Sequence, residues 1–90
     1  MSQAIVDPAE LRRFAHQLSQ FSSELEERLS TLANQMHNLN NTWRDQEHKK
    51  FVEEFEHHLK LIGRSIEASR EYTPFLLRKA ERIEEYLQQK

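Results

Sequence analysis

Between Leu11 and Leu39, large apolar residues recur at steps of three and four: Leu11, Phe14, Leu18, Phe21, Leu25, Leu29, Leu32, Met36 and Leu39. No glycine or proline interrupts the stretch. A strand would alternate every second residue. This spacing belongs to a helix with one apolar edge, at the heptad period of coiled coils except for one extra step of four. Asp7-Pro8-Ala9-Glu10 supplies a start: Asp7 can cap free N–H groups, Pro8 suits the first helical position, and Glu10 stands three residues beyond the cap. The spacing predicts a helix over about 8–40, preceded by a short frayed tail over Met1–Val6.

The rod ends at Asn38-Leu39-Asn40-Asn41-Thr42. Asn tolerates left-handed backbone and hydrogen-bonds its own turn, so the chain is expected to reverse over about 41–45. A second stripe follows: Phe51, Phe55, Leu59, Ile62, Ile66, then Leu76, Ala80, Ile83 and Leu87, with Ser69 and Thr73 in the heptad between the two groups. The second helix is predicted from Trp43 or just after Asp45, which can itself be the cap, to about residue 72. Pro74 lacks an N–H and crowds the preceding turn, so a kink or a restart is expected near Thr73, with a C-terminal helical segment over about 74–88 that is continuous with the long helix or bent from it. Gly63, the only glycine, is read as a point of close helix approach between Ile62 and Ile66. The fold class is therefore all-α: an antiparallel helical hairpin forming a single domain over 1–90.

Composition says what such a hairpin needs. The chain is 37% hydrophobic, below the roughly 45–50% of ordinary globular domains. Ninety residues without cysteine make a marginal core and no disulfide to reinforce it. The remaining source of buried area is another chain, and two hairpins joined along their stripes make a four-helix bundle. Thirteen Lys and Arg against fifteen Asp and Glu, with the signs mixed along both helices, disfavour a nucleic-acid partner. The longest apolar runs, Ala4 to Val6 and Phe75 to Leu77, fall short of a membrane span and of the apolar centre of a secretory signal.

Catalysis and cofactors find little purchase. There is no cysteine nucleophile and no glycine-rich phosphate loop, and the carboxylates are spread along solvated faces. His37 and His48 should fall at similar heights across the hairpin, but two histidines do not complete a zinc site, and His16, His57 and His58 read as helix-face residues. No metal and no cofactor is expected.

The most informative segment is Trp43-Arg44-Asp45, with Phe51 and Phe55 eight and twelve residues past the tryptophan. The only Trp stands between two long helices, either as a plug for the bundle end or as an anchor for a partner. In length, layout, mid-chain Trp and the following aromatic pair, the chain resembles the Trp-Xaa-Gly (WXG) family, the ESAT-like proteins of type VII secretion. The family's glycine is Asp45 here. Its C-terminal Tyr-x-x-x-Asp/Glu signal is met by Tyr86-Leu87-Gln88-Gln89-Lys90, with Lys at the acidic position. The resemblance implies a hairpin that dimerises into an antiparallel four-helix bundle. The partner would be a second copy, which is favoured, or a second WXG-like chain. It also implies a secretion ATPase as receiver and export without a cleaved apolar signal. Trp43, Asp45, Phe51, Phe55 and Tyr86 would be the recognition residues. Leu11, Phe14, Leu18, Phe21, Leu25, Leu29, Leu32, Met36, Leu39, Leu59, Ile62, Ile66, Leu76, Ile83 and Leu87 would be the seam. The alternative is a cytoplasmic coiled-coil scaffold or chaperone that shares only the shape.

Overall fold

A computed structural model describes residues 6–89. The expected tail, apart from Val6, and the terminal Lys90 lie outside them. Two helices run antiparallel, α1 over Pro8–Leu39 and α2 over Gln46–Gln88, in a rod of 69 × 21 × 14 Å. α1 starts as its sequence demands. Asp7 accepts a hydrogen bond from the Ala9 N–H at 3.0 Å, and Pro8 occupies the first turn, where a missing donor costs nothing.

Two ion pairs hold the helices in register. Arg12 donates to Glu84 through Nε and Nη2 at 3.0 and 2.7 Å. Arg70 donates to Glu26 through Nη1 and Nη2 at 3.3 and 2.5 Å. Between the two bridges the chain advances fourteen residues on α1 and retreats fourteen on α2, so the register does not slip. The Arg12–Glu84 pair stands four residues from the start of α1 and four from the end of α2, so this end of the rod is flush. α2 has 43 residues and α1 has 32. The surplus therefore projects at the other end, where the connection climbs alongside the first turns of α2.

The apolar stripe expected on α1 divides. Leu11, Leu18, Leu25, Leu29 and Met36 turn towards α2, whereas Phe14, Phe21, Leu32 and Leu39 stay exposed. The inner line is completed by Ala15, Ser22 and Ala33, small residues outside the predicted seam. On α2, Phe55, Leu59, Ile62, Ile66, Leu76 and Ile83 are withdrawn from solvent, and Phe51 and Leu87 are not. Burial is deepest where both helices carry small side chains: Ala15 and Ala80 are 0% exposed and Ser22 is 1% exposed. Register sets Ala15 level with Ala80 and Ser22 level with Thr73. The Ser22 Oγ and Thr73 Oγ1 atoms are buried without a hydrogen-bond partner. Gly63 does not provide the approach expected of it, since a Cβ there would meet nothing within 4 Å.

Of the alternatives expected near Thr73, the restart is corrected. α2 runs unbroken through Pro74, so the segment over 74–88 is the continuation of one helix. Proline removes one backbone hydrogen bond and crowds the preceding turn, but the ion pairs at Arg70 and Glu84 pin α2 to α1 on both sides of it. Thr73, with its hydroxyl unpaired, caps no new helix.

The bridges also make stability depend on pH. Hydrogen bonds from Arg70 and Arg12 hold Glu26 and Glu84 below the ordinary glutamate value of 4.5. Each carboxylate thus stabilises the fold above that value and loses its contribution as pH falls through the lowered one. Both pairs are half-exposed and screened by solvent, so the effect is modest and salt-sensitive. Thermal melts from neutral pH to about pH 3 should show stability falling on the acid side. The Glu26→Gln/Glu84→Gln double variant should have a visibly shallower acid slope than the native chain.

Candidate functional site

The tip is built by satisfying two helix ends within six residues. α1 closes without a left-handed residue: Asn40 stays helical, and no described non-glycine residue has positive φ. The Leu39 carbonyl accepts from the Thr42 and Trp43 N–H groups at 3.1 and 3.0 Å, and the Asn38 carbonyl accepts from Asn41 at 3.1 Å. Thr42 also donates its hydroxyl to Leu39 O at 3.4 Å. It therefore finishes α1 and does not open α2. The positive φ expected for the reversal is not needed, because the carbonyls left open by α1 find donors in the next few residues.

Asp45 opens α2 with extended backbone, φ −89° and ψ −176°. Its Oδ1 accepts from the His48 N–H at 3.0 Å, which makes it the N-cap. The same oxygen accepts from Trp43 Nε1 at 2.9 Å. One carboxylate therefore caps the helix and fixes the indole. Trp43 lies outside α2, before its first turn, but folds back onto it. The indole centroid is 5.4 Å from that of Phe51 and 5.2 Å from that of His48. Phe51 stacks on Phe55 at 5.3 Å and 14°, and His58 follows at 6.4 Å. Trp43, Phe51 and Phe55 thus form a ladder up the projecting end of α2. Spacing aligns Phe51 with Phe55, and the Asp45 bond, not helix geometry, brings in Trp43.

His48, by sequence no more than half of an incomplete metal site, ties the helices together. Its Nε2 lies 2.6 Å from Asn40 Oδ1. An amide oxygen only accepts, so the proton sits on Nε2. His37 is exposed, and among the described residues no group of three or more His, Cys, Asp or Glu is placed to hold a metal ion. Below the ladder, Leu32, Gln35, Met36 and Leu39 of α1 meet Phe51 and Phe55 of α2 around an apolar notch of about 160 Å³. Leu32 and Leu39 stood in the predicted seam and Gln35 in no prediction; a heptad reading treats Gln35 as solvated surface. Tyr86 lies at the flush end of the rod, far from this cluster, and is exposed. Within one chain the structure brings together Trp43, Asp45, Phe51 and Phe55, and leaves Tyr86 apart.

Along the rod runs a second feature. Phe14, Phe21, Leu32 and Leu39 are separated by seven, eleven and seven residues. Both intervals approximate whole helical turns, so the four fall on one line. Phe14 and Phe21 are 56% and 57% exposed. On α2, Phe51, Leu61, Tyr72, Phe75, Tyr86 and Leu87 are also open. Among the described residues, Ile66 is the only large apolar side chain that is buried. Among the described residues no helix is long and apolar enough to cross a membrane.

Three comparisons bear on this arrangement. The family model described as proteins of 100 residues with WXG matches residues 3–85. No curated protein matches. Among solved structures, the chain is similar to the secreted protein EsxB of Bacillus anthracis strain Sterne. The selenomethionine-labelled form superimposes with a TM-score of 0.77 at 21% identity, covering 96% of this chain and 98% of that one. The wild-type form in another crystal gives 0.75 at 22%, covering 91% and 94%. A point variant of EsxB gives 0.76 at 21%, covering 93% and 97%. At these identities the likeness speaks for the helical hairpin fold.

The dual use of Asp45 has a measurable consequence for stability. Asp45→Ala and Asp45→Gly both lose the indole bond, so both should be less stable than the native chain, and Asp45→Ala should be the weaker of the two by roughly 0.5–1 kcal/mol, because glycine is tolerated at a cap and alanine is not. Urea denaturation of the two variants beside the native chain measures the difference.

Proposed function

The chain belongs to the WXG100 family, and from that premise we propose that it is a component of a type VII secretion system, as substrate, co-substrate or adaptor. It acts through protein–protein binding as a dimer of helical hairpins, and not by catalysis. The observation that carries this reading is the inverted distribution of its apolar side chains. Full burial of a Phe is worth about 1.5–3 kcal/mol, and Phe14 and Phe21 are more than half exposed on one line of α1. A face 69 Å long and 21 Å wide offers roughly 1,400 Å² in projection, above the ~800 Å² per partner of a standard interface. A second hairpin covers it and completes a four-helix bundle. A second copy is the favoured partner, and a different WXG-like chain is the other.

The tip supplies the recognition element. Trp43, held by Asp45 and continued by Phe51 and Phe55, projects beyond the end of α1, where a companion hairpin need not cover it. In this reading the secretion ATPase receives it, and the protein leaves the cell without a cleaved apolar signal. One observation favours a second reading: Lys90 stands where exported members often carry an acidic residue. A cytoplasmic coiled-coil scaffold or chaperone needs no such signal.

Two experiments test the proposal, the first its dimer and the second its secretion. The Phe14→Lys/Phe21→Lys variant should sediment as a monomer, and the native chain as a dimer; a native chain that stays monomeric at micromolar concentration contradicts the dimer. Trp43→Ala should remain a folded dimer yet disappear from culture supernatant, where the native protein appears only in cells that contain the secretion ATPase. Native protein retained inside such cells favours the cytoplasmic scaffold.

A further inference from the structure

We propose that Asp45 is a positioning residue for Trp43: it sets the indole in one orientation and uses up its N–H, so that a partner meets only the hydrocarbon rim of the ring. The proposal rests on the reading of Trp43 as the recognition element and goes further by stating what chemistry can receive it.

The Trp43 Nε1–H is the only polar group of the indole, and it points at Asp45 Oδ1 at 2.9 Å. That oxygen is itself fixed, because it also caps α2 through the His48 N–H at 3.0 Å. The cap therefore anchors the carboxylate, and the carboxylate anchors the ring. The ring also lies beside Phe51 and His48, at centroid distances of 5.4 and 5.2 Å. His48 is in turn tied to Asn40 at the end of α1. A glycine at position 45 has no side chain and offers none of this. The charged acceptor makes the bond one of the stronger kind, so a partner that sought the indole N–H would first have to displace it. The fitting receptor is an apolar slot with no acceptor where Nε1 would lie, and a phenyl ring should satisfy it almost as well as an indole.

The test separates capping from positioning. Asp45→Ser keeps a good N-cap but cannot place one fixed acceptor between the indole and the helix, whereas Asp45→Asn can accept both hydrogen bonds. In the isolated protein, the near-ultraviolet circular dichroism of the indole and the solvent exchange of its N–H are recorded. Far-ultraviolet signal and melting temperature serve as controls for folding. Asp45→Ser should lose the indole band and exchange the N–H several-fold faster with helicity retained, and Asp45→Asn should stay close to the native chain. An unchanged indole signal in Asp45→Ser, or equal loss in Asp45→Ser and Asp45→Asn, overturns the positioning role. For the receiving slot, Trp43→Phe should be exported at more than half the native level while Trp43→Ala is not. Loss of export in both overturns the apolar slot. Export of Trp43→Ala at the native level sinks the secretion reading of Trp43, and the spectroscopic comparison still decides the role of Asp45.

Discussion

Two cylinders touch along a line, and most of this molecule follows from that limit. A pair of helices has one strip of mutual contact, too narrow to hide two full faces of leucine and phenylalanine. The chain fills the strip with small and medium residues, Ala15, Ser22 and Ala33 on α1 and Ser69, Thr73 and Ala80 on α2, interleaved with leucines and Ile66. Close approach along the strip comes at the expense of the large rings, which are pushed to the flank. Internal packing and outward adhesiveness are thus two results of one choice of side-chain size. Since the contact is so thin, the ion pairs matter beyond their modest energy: they select a single register from the several that a heptad seam would permit.

The tip shows how a position that favours glycine can be filled by another residue. Glycine earns its place in turns by tolerating positive φ, but this turn requires none. Asp45 takes extended backbone and exploits the two free N–H groups nearby, one on His48 and one on Trp43. A backbone tolerance is replaced by a side-chain bond, and the local conformation becomes more sharply defined for it.

The helices, their antiparallel order and the reversal near Trp43 were legible because period and punctuation agreed: steps of three and four, Asp-Pro at one start, Asp at the other. The division of the α1 stripe was not legible. Leu11 and Phe14 differ by three residues and count as one heptad edge, yet the angle between them decides which one meets α2. Hydrophobicity alone also hid Ala15 and Ser22, since small residues signal contact only once the facing helix is known. Pro74 misled because local sterics favour a break, yet α2 stays helical across it and is packed against α1 on both sides, at Ile66 and at Ala80. At the tip, Trp43, Phe51 and Phe55 were visible as a group. The Asn40–His48 link was not, because a hydrogen bond between two loop-proximal side chains leaves no periodic trace.

The unequal helices give the rod a direction. One extremity is flush and tied off by Arg12 and Glu84; the other carries the overhang of α2 with the indole upon it. Stacked in opposite senses, two such rods would not bring these overhangs together but would display one at each extremity. The pair would then be a two-headed object, able to bridge two receivers or to present the same face whichever way it arrives.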